Sequence, residues 1–130
     1  MSRRCPQSNY IGIGVLRGWK WFICKRGYAN VIESPNDVVY GFVFSLTPSD
    51  EELLDVYEGV PESYVKQIHQ IELLGYGPVE VLVYVDVGRV VEGIVKQEYI
   101  VRMNHAIKDA VEKGVPKDYI EKYMRDSIPP

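Results

Sequence analysis

The segment Asp55-Val-Tyr-Glu-Gly-Val-Pro61 holds the residue best suited to acid–base chemistry. Glu58 stands where a helix should stop, because Gly59 and Pro61 follow it and that pair punctuates helices. The C-terminal end of a helix carries the negative end of its dipole, an unfavourable place for a carboxylate. Val56, Tyr57 and Val60 surround the position with apolar side chains. Both conditions favour the protonated acid, and a carboxyl group poised in this way can accept a proton and return it near neutral pH. The plain alternative is a glutamate that faces water at a helix end. Asp55, one turn earlier, reads as a solvated helix position.

Tyrosine is the other unusual feature. The chain has ten tyrosines and three phenylalanines, so most of its aromatic surface carries a hydroxyl that seeks a partner. Amphipathic strand surface explains such a bias, and so does a hydroxyl-lined pocket for a small polar ligand. Other chemistry has little to build on. His69 and His105 are far apart, and neither belongs to a spaced Cys/His cluster, so no metal site is expected. Two cysteines, Cys5 and Cys24, are too few for a disulfide scaffold; without a recognisable signal peptide they read as reduced thiols of a cytoplasmic protein.

The elements that must position Glu58 follow from patterning. The first half reads as strands: Tyr10–Leu16, Trp19–Cys24, Tyr28–Ile32 and Val38–Leu46, separated by Arg-Gly pairs and by Ser34-Pro-Asn-Asp37. The last of these is apolar throughout, as expected of a strand covered on both faces; its Gly41 would let another backbone or a ligand come close. Thr47-Pro-Ser-Asp-Glu-Glu52 opens a helix, with Thr47 as N-cap, Pro48 in the first helical position and acidic residues at the positive end of the dipole. Leu53, Leu54 and Tyr57 form its apolar stripe. Tyr64–Glu72 and Val79–Val85 are expected to pair as a hairpin about Gly75-Tyr-Gly-Pro78. From Lys96 onward, Tyr99, Met103, Ala106, Ile107, Ala110 and Val111 recur at helical spacing. Gly114 and Pro116 end that helix, and Tyr119, Tyr123 and Met124 suggest a short second one. Strands, a helix, more strands and then helices make an α+β chain with an antiparallel sheet that should curl into a barrel.

Composition bounds the function. The 130 residues suit a single domain, 46% hydrophobic and 25% charged, which is globular rather than disordered. The net charge of −3 speaks against a nucleic-acid partner, and no apolar run reaches membrane-spanning length.

Several stretches together resemble the γ-glutamylcyclotransferase family. Gly27-Tyr-Ala-Asn-Val-Ile-Glu-Ser-Pro-Asn-Asp-Val-Val-Tyr-Gly41 is similar to the family's run ending Ser-Pro-Gly-Asp-x-Val-Trp-Gly. Leu46-Thr-Pro-Ser-Asp50 and Leu54-Asp-Val-Tyr-Glu-Gly-Val60 follow at the family's spacing, Gln97-Glu-Tyr99 opens the long helix, and Glu112-Lys-Gly-Val-Pro-Lys-Asp-Tyr-Ile120 resembles its Gly-Leu-Pro-x-x-Tyr. The resemblance implies a small mixed or antiparallel β-barrel with flanking helices. It implies release of 5-oxoproline and a free amine from a γ-glutamyl amino acid or peptide, without a cofactor. The family's catalytic glutamate falls on Glu58, and Tyr64, Tyr84 and Tyr99 match tyrosines that line its substrate pocket. Ser34, Pro35 and Asp37 match a turn motif.

One departure accompanies the match. The family begins with a strand ending Tyr-Gly-Ser-Asn-Leu, whose backbone N–H groups cradle the substrate, and Met1-Ser-Arg-Arg-Cys-Pro6 aligns with the helix that follows it. Residues 1–130 are therefore expected to be one N-terminally truncated domain lacking the first strand, with Met1 internal to a longer reading frame. A shortened isoform or an inactive product would lack the strand equally. Two functions follow. One is a cyclotransferase acting on a small γ-glutamyl substrate. The other is a non-catalytic small-molecule-binding or interaction protein that keeps the barrel and lacks the cradle. An exposed sheet edge makes a homodimer possible.

Overall fold

The computed structural model describes residues 7–58 and 64–130, the side chain of Glu58 excepted. The expected stops at Gly59 and Pro61 fall outside these residues. The elements are β1 (Asn9–Ile23), β2 (Ala29–Ser45), α1 (Pro48–Glu58), β3 (Val65–Leu73), β4 (Gly77–Val85), α2 (Gln97–Glu112) and α3 (Lys117–Tyr123).

The short strands foreseen in the first half fuse into one long hairpin. β1 and β2 pair antiparallel from Asn9↔Ser45 to Ile23↔Ala29, with a shift between Arg17 and Trp19. At that shift Gly18 adopts φ +83°, a backbone shape that costs glycine little. Arg17 pairs with Val38 and Trp19 with Glu33, so residues 34–37 bulge opposite Gly18. Pro35 is tolerated there because a bulge asks no N–H of it. The expected turn is thus a bulge inside a strand. Ser34 donates to Asp37 Oδ2 at 2.5 Å, and Tyr123 of α3 donates to Asp37 Oδ1 at 2.5 Å. These two hydroxyls hold the Asp37 carboxyl below the ordinary carboxylate range, Ser34 contributing most.

β3 and β4 form the expected hairpin, Val65↔Val85 to Leu73↔Gly77. β3 joins β1 only at Gly14↔Leu73 and Val15↔Glu72. The strand order is β2-β1-β3-β4. Among the described residues β2 and β4 are the free edges, so the expected barrel is present as a curled but unclosed antiparallel sheet.

The two faces of the sheet differ. Ile13, Trp21 and Ile23 of β1 meet Ile107 of α2, and Tyr119, Ile120, Met124 and Ile128 beyond it, in the main core. Ile23 and Ile128 are almost wholly buried. Burial pushes the Tyr119 phenol up to about 12. Gly14 and Leu16 point the other way, and with Gly41, Val43 and Ile71 they line an apolar trough of about 570 Å³. α1 lies along this trough, contributing Glu51 and Leu54 to its wall. Of its expected apolar stripe only Leu54 is buried; Leu53 and Tyr57 are exposed.

Candidate active site

Thr47 caps α1 as expected: its Oγ1 accepts from the Asp50 N–H at 3.2 Å, and its carbonyl accepts from the Glu51 N–H at 3.0 Å. α1 then runs without interruption to Glu58. The backbone of the foreseen acid–base residue therefore ends the helix, while its side chain lies outside the described residues.

One turn earlier, Asp55 is not a solvated helix position. It accepts from the Tyr84 hydroxyl at 2.6 Å through Oδ1 and from Lys66 Nζ at 2.8 Å through Oδ2. Lys66 also donates to Glu51 Oε2 at 2.7 Å. Lys66 and Tyr84 are direct partners across the β3–β4 ladder, so adjacent strands grip α1 together. Hydrogen bonds from Lys66 and Tyr84 hold the Asp55 carboxyl below the usual carboxylate range, and the Asp55 and Glu51 acceptors raise the Lys66 ammonium.

Tyr64 and Tyr99 belong to a second cluster. The Tyr64 hydroxyl donates to the Ala29 carbonyl at 3.1 Å, and the Arg26 guanidinium lies 5.7 Å from its ring centroid. The same guanidinium is 5.8 Å from the Tyr28 ring, which meets Tyr99 edge-on at 5.1 Å. Tyr28 in turn donates to Glu98 at 3.2 Å and receives Lys96 over its ring at 5.0 Å. Arg26 also approaches Asp86 at 3.5 Å. Asp86 is fully buried, its backbone N–H donates to Asn30 Oδ1 at 3.0 Å, and Arg89 reaches its carboxylate at 3.1 Å. Tyr64 and Tyr99 are therefore linked through Arg26 and Tyr28, and Tyr84 is bound to Asp55.

Arg26 and Lys66 carry no motif in the sequence, and Tyr28 lies in a family-like run without standing out as a site residue. Lys66 acquires its role from a strand pairing that places it beside Tyr84 and under α1. Only the spacing of Asp55 and Glu58, three apart and hence on one helix face, hints at a connection. Among the described residues no three His, Cys, Asp or Glu side chains gather in a way that could hold a metal, and Cys24 is a free, buried thiol.

An unclosed antiparallel sheet, helices on one face and a capped helix along the trough define the class of fold. A solved structure titled gamma-glutamyl cyclotransferase superposes with a TM-score of 0.81 at 21% identity, covering 99% of this chain and 79% of its own. An uncharacterized protein from Homo sapiens matches with the same values. A protein from Arabidopsis thaliana, solved in solution, gives a TM-score of 0.57 at 18% identity over 82% of this chain and 67% of its own. At these identities the likeness is one of fold. The profile of the family described as gamma-glutamyl cyclotransferase, AIG2-like, matches residues 2–100, and the chain belongs to that family. No curated protein matches it in sequence.

Proposed function

We propose that this chain catalyses intramolecular cyclisation of a γ-glutamyl amino acid or peptide, with Glu58 as the general acid and base. Family membership over residues 2–100 is the observation that carries this reading. Glu58 takes a proton from the substrate's α-ammonium group. The freed amine attacks the substrate's own γ-carbonyl carbon, and a C–N bond forms to close the five-membered ring of 5-oxoproline. The bond from that carbon to the leaving nitrogen then breaks as Glu58 returns the proton to the departing amine, and the second proton, shed by the ring nitrogen as the lactam forms, leaves with that amine as its ammonium ion. Because the nucleophile and electrophile belong to one molecule, little translational entropy is lost. Tyr64, Tyr84 and Tyr99 are the proposed pocket residues. Tyr84 lies nearest in the network to the helix that carries Glu58, through its bond to Asp55. Among the described residues no helix is long and apolar enough to cross a membrane; a cytoplasmic setting suits a γ-glutamyl substrate.

The test is release of 5-oxoproline from γ-glutamyl-alanine, and from a γ-glutamyl amide of a simple amine. Glu58→Gln should remove turnover, by about a thousandfold or more, since one carboxylate serves both proton transfers, while the melting temperature stays unchanged. Full activity in Glu58→Gln would overturn the assignment. The open trough between β2 and β4 favours a second reading, a binding or interaction protein on the same fold. Fusing a strand ending Tyr-Gly-Ser-Asn-Leu ahead of residue 1 discriminates the two: turnover gained with the fusion supports the enzyme, and none with either form supports the binding protein.

A further inference from the structure

α1 is an amphipathic helix with little apolar grip. Of its described residues only Leu54 and Asp50 are buried, and Val56 is 81% exposed. Leu54 is the one buried apolar side chain among them, so the roll of the helix depends on polar contacts. Its N-terminal end is fixed by the Thr47 cap, and its flank is held by polar groups: Asp55 receives Tyr84 and Lys66, and Lys66 reaches back to Glu51. Glu51 and Asp55 are spaced as successive turns of one face, so Lys66 bridges two turns while Tyr84 fixes the second. The Glu58 backbone lies roughly 4.5 Å further along the axis and about 60° round it. Whatever sets the roll of α1 at Asp55 therefore sets the direction from which Glu58 leaves the helix.

We propose that Asp55, Lys66 and Tyr84 form a latch that positions Glu58, so that Lys66 and Tyr84 act on the reaction through α1. This rests on the cyclotransferase reading for its catalytic consequence but not for its structural one. The three groups are partly exposed, with Lys66 at 30% and Asp55 at 25%, and such pairs add little to global stability. Their effect falls on geometry, where a displacement of about an ångström can cost on the order of a hundredfold in rate.

The test compares the wild-type chain with Tyr84→Phe, Lys66→Met and Lys66→Arg. Hydrogen exchange of residues 48–58 should be faster in Tyr84→Phe and Lys66→Met, with the main core as protected as in wild type. Lys66→Arg should restore protection, because a guanidinium can also span both carboxylates. Where wild type releases 5-oxoproline, the first two variants should lower kcat by about tenfold or more with KM within about twofold, and their combination should cost less than the product of the two. Unchanged exchange in α1 overturns the latch whatever the activity. Faster exchange with unchanged kcat overturns its positioning role. A higher KM with unchanged kcat would leave Tyr84 a part in substrate binding alone and overturn its positioning role. If neither the wild-type chain nor the strand fusion shows turnover, the cyclotransferase reading fails separately, and exchange alone decides whether the latch exists.

Discussion

The two faces of the sheet are built from the same strands and arrive at opposite solutions. On one, Ile13, Trp21 and Ile23 are sealed by α2, α3 and the C-terminal tail, and Ile128 closes the core with no exposed surface. On the other, Gly14, Gly41 and Val43 look into a trough, and the helix beside it is held by hydroxyl, ammonium and carboxylate groups. Interdigitated apolar side chains resist any change of volume, whereas a polar latch on a thinly packed helix adjusts at small cost. Stability is thus concentrated on the helical face, and the helix that carries Glu58 sits on the face that can still move.

The heaviest blow to this division should come from Ile128→Ala. The tail has little secondary structure, yet Arg125 donates to the Ile128 carbonyl at 3.2 Å and Asn104 to the Pro129 carbonyl at 2.8 Å, so the isoleucine is held in place and the hole should not collapse. The expected loss is about 3 kcal/mol, or roughly 10 °C in melting temperature for a chain of this length. Thermal unfolding checks it. A loss below about 1 kcal/mol would mean that the tail is not part of the core in solution.

Gly93→Ala should cost less but remain clear. A Cβ there would lie 2.6 Å from the Cys24 carbonyl oxygen and 2.6 Å from Lys25 Cα. Both are backbone atoms of the segment that leaves β1, so relief requires that the 86–96 segment lift away. The Gly93 N–H donates to the Ile23 carbonyl at 2.9 Å, and that bond would lengthen. A loss of about 1 to 3 kcal/mol follows, measurable as a lower urea midpoint.

The bulge on β2 gives a pH signature. Because Asp37 is held below the ordinary carboxylate range by Ser34 and Tyr123, its contribution is complete above its unfolded value of 3.8 and is lost as pH falls through the lower folded value. The same bond raises the Tyr123 phenol, so that contribution is complete below the ordinary tyrosine range and disappears as pH rises through the folded value. Asp37→Asn should therefore lower the melting temperature near neutrality and flatten its fall in acid. Parallel acid profiles for variant and wild type would show that the hook between α3 and β2 is not made.

How far the sequence reveals this molecule depends on the range of the interactions involved. The Thr47 cap, the hairpin about Gly75 and the α2 stripe are local, and each is written in a few adjacent residues. The length of β1 and β2 is not, because Gly18 and Pro35 read as breakers until they are seen opposite one another in the bulge. Ile128 looks like a frayed terminus, since the walls around it come from β1 and α2, far away in sequence, as well as from α3. At the site, Glu58 stands out by its helix-end position and family motif. Asp55 reads as solvated because its partners, Lys66 and Tyr84, come from strands that the chain order does not place beside α1. Curl and pattern point to a closed barrel, but closure needs a partner for the β2 and β4 edges, which is a property of chain pairing rather than of any one strand.

The smallest effect tests the trough itself. Gly41 lies in the interior of β2, directly across from Gly14, and the two glycines serve opposite needs. A Cβ on Gly14 would lie 2.4 Å from Ile71 Cδ1 and 2.8 Å from Val43 Cγ2, so glycine there leaves room for those two side chains. A Cβ on Gly41 would meet nothing within 4 Å. Glycine within a strand costs about 0.5 to 1 kcal/mol through the freedom it gives the unfolded chain, so Gly41→Ala should raise stability by about that amount in urea unfolding. The sign matters more than the size. A gain means that the space beside Gly41 is open in solution and that its glycine leaves room for a strand or ligand rather than serving the sheet. A loss means that the β2 and β4 edges close on each other, which would erase the difference between the two faces.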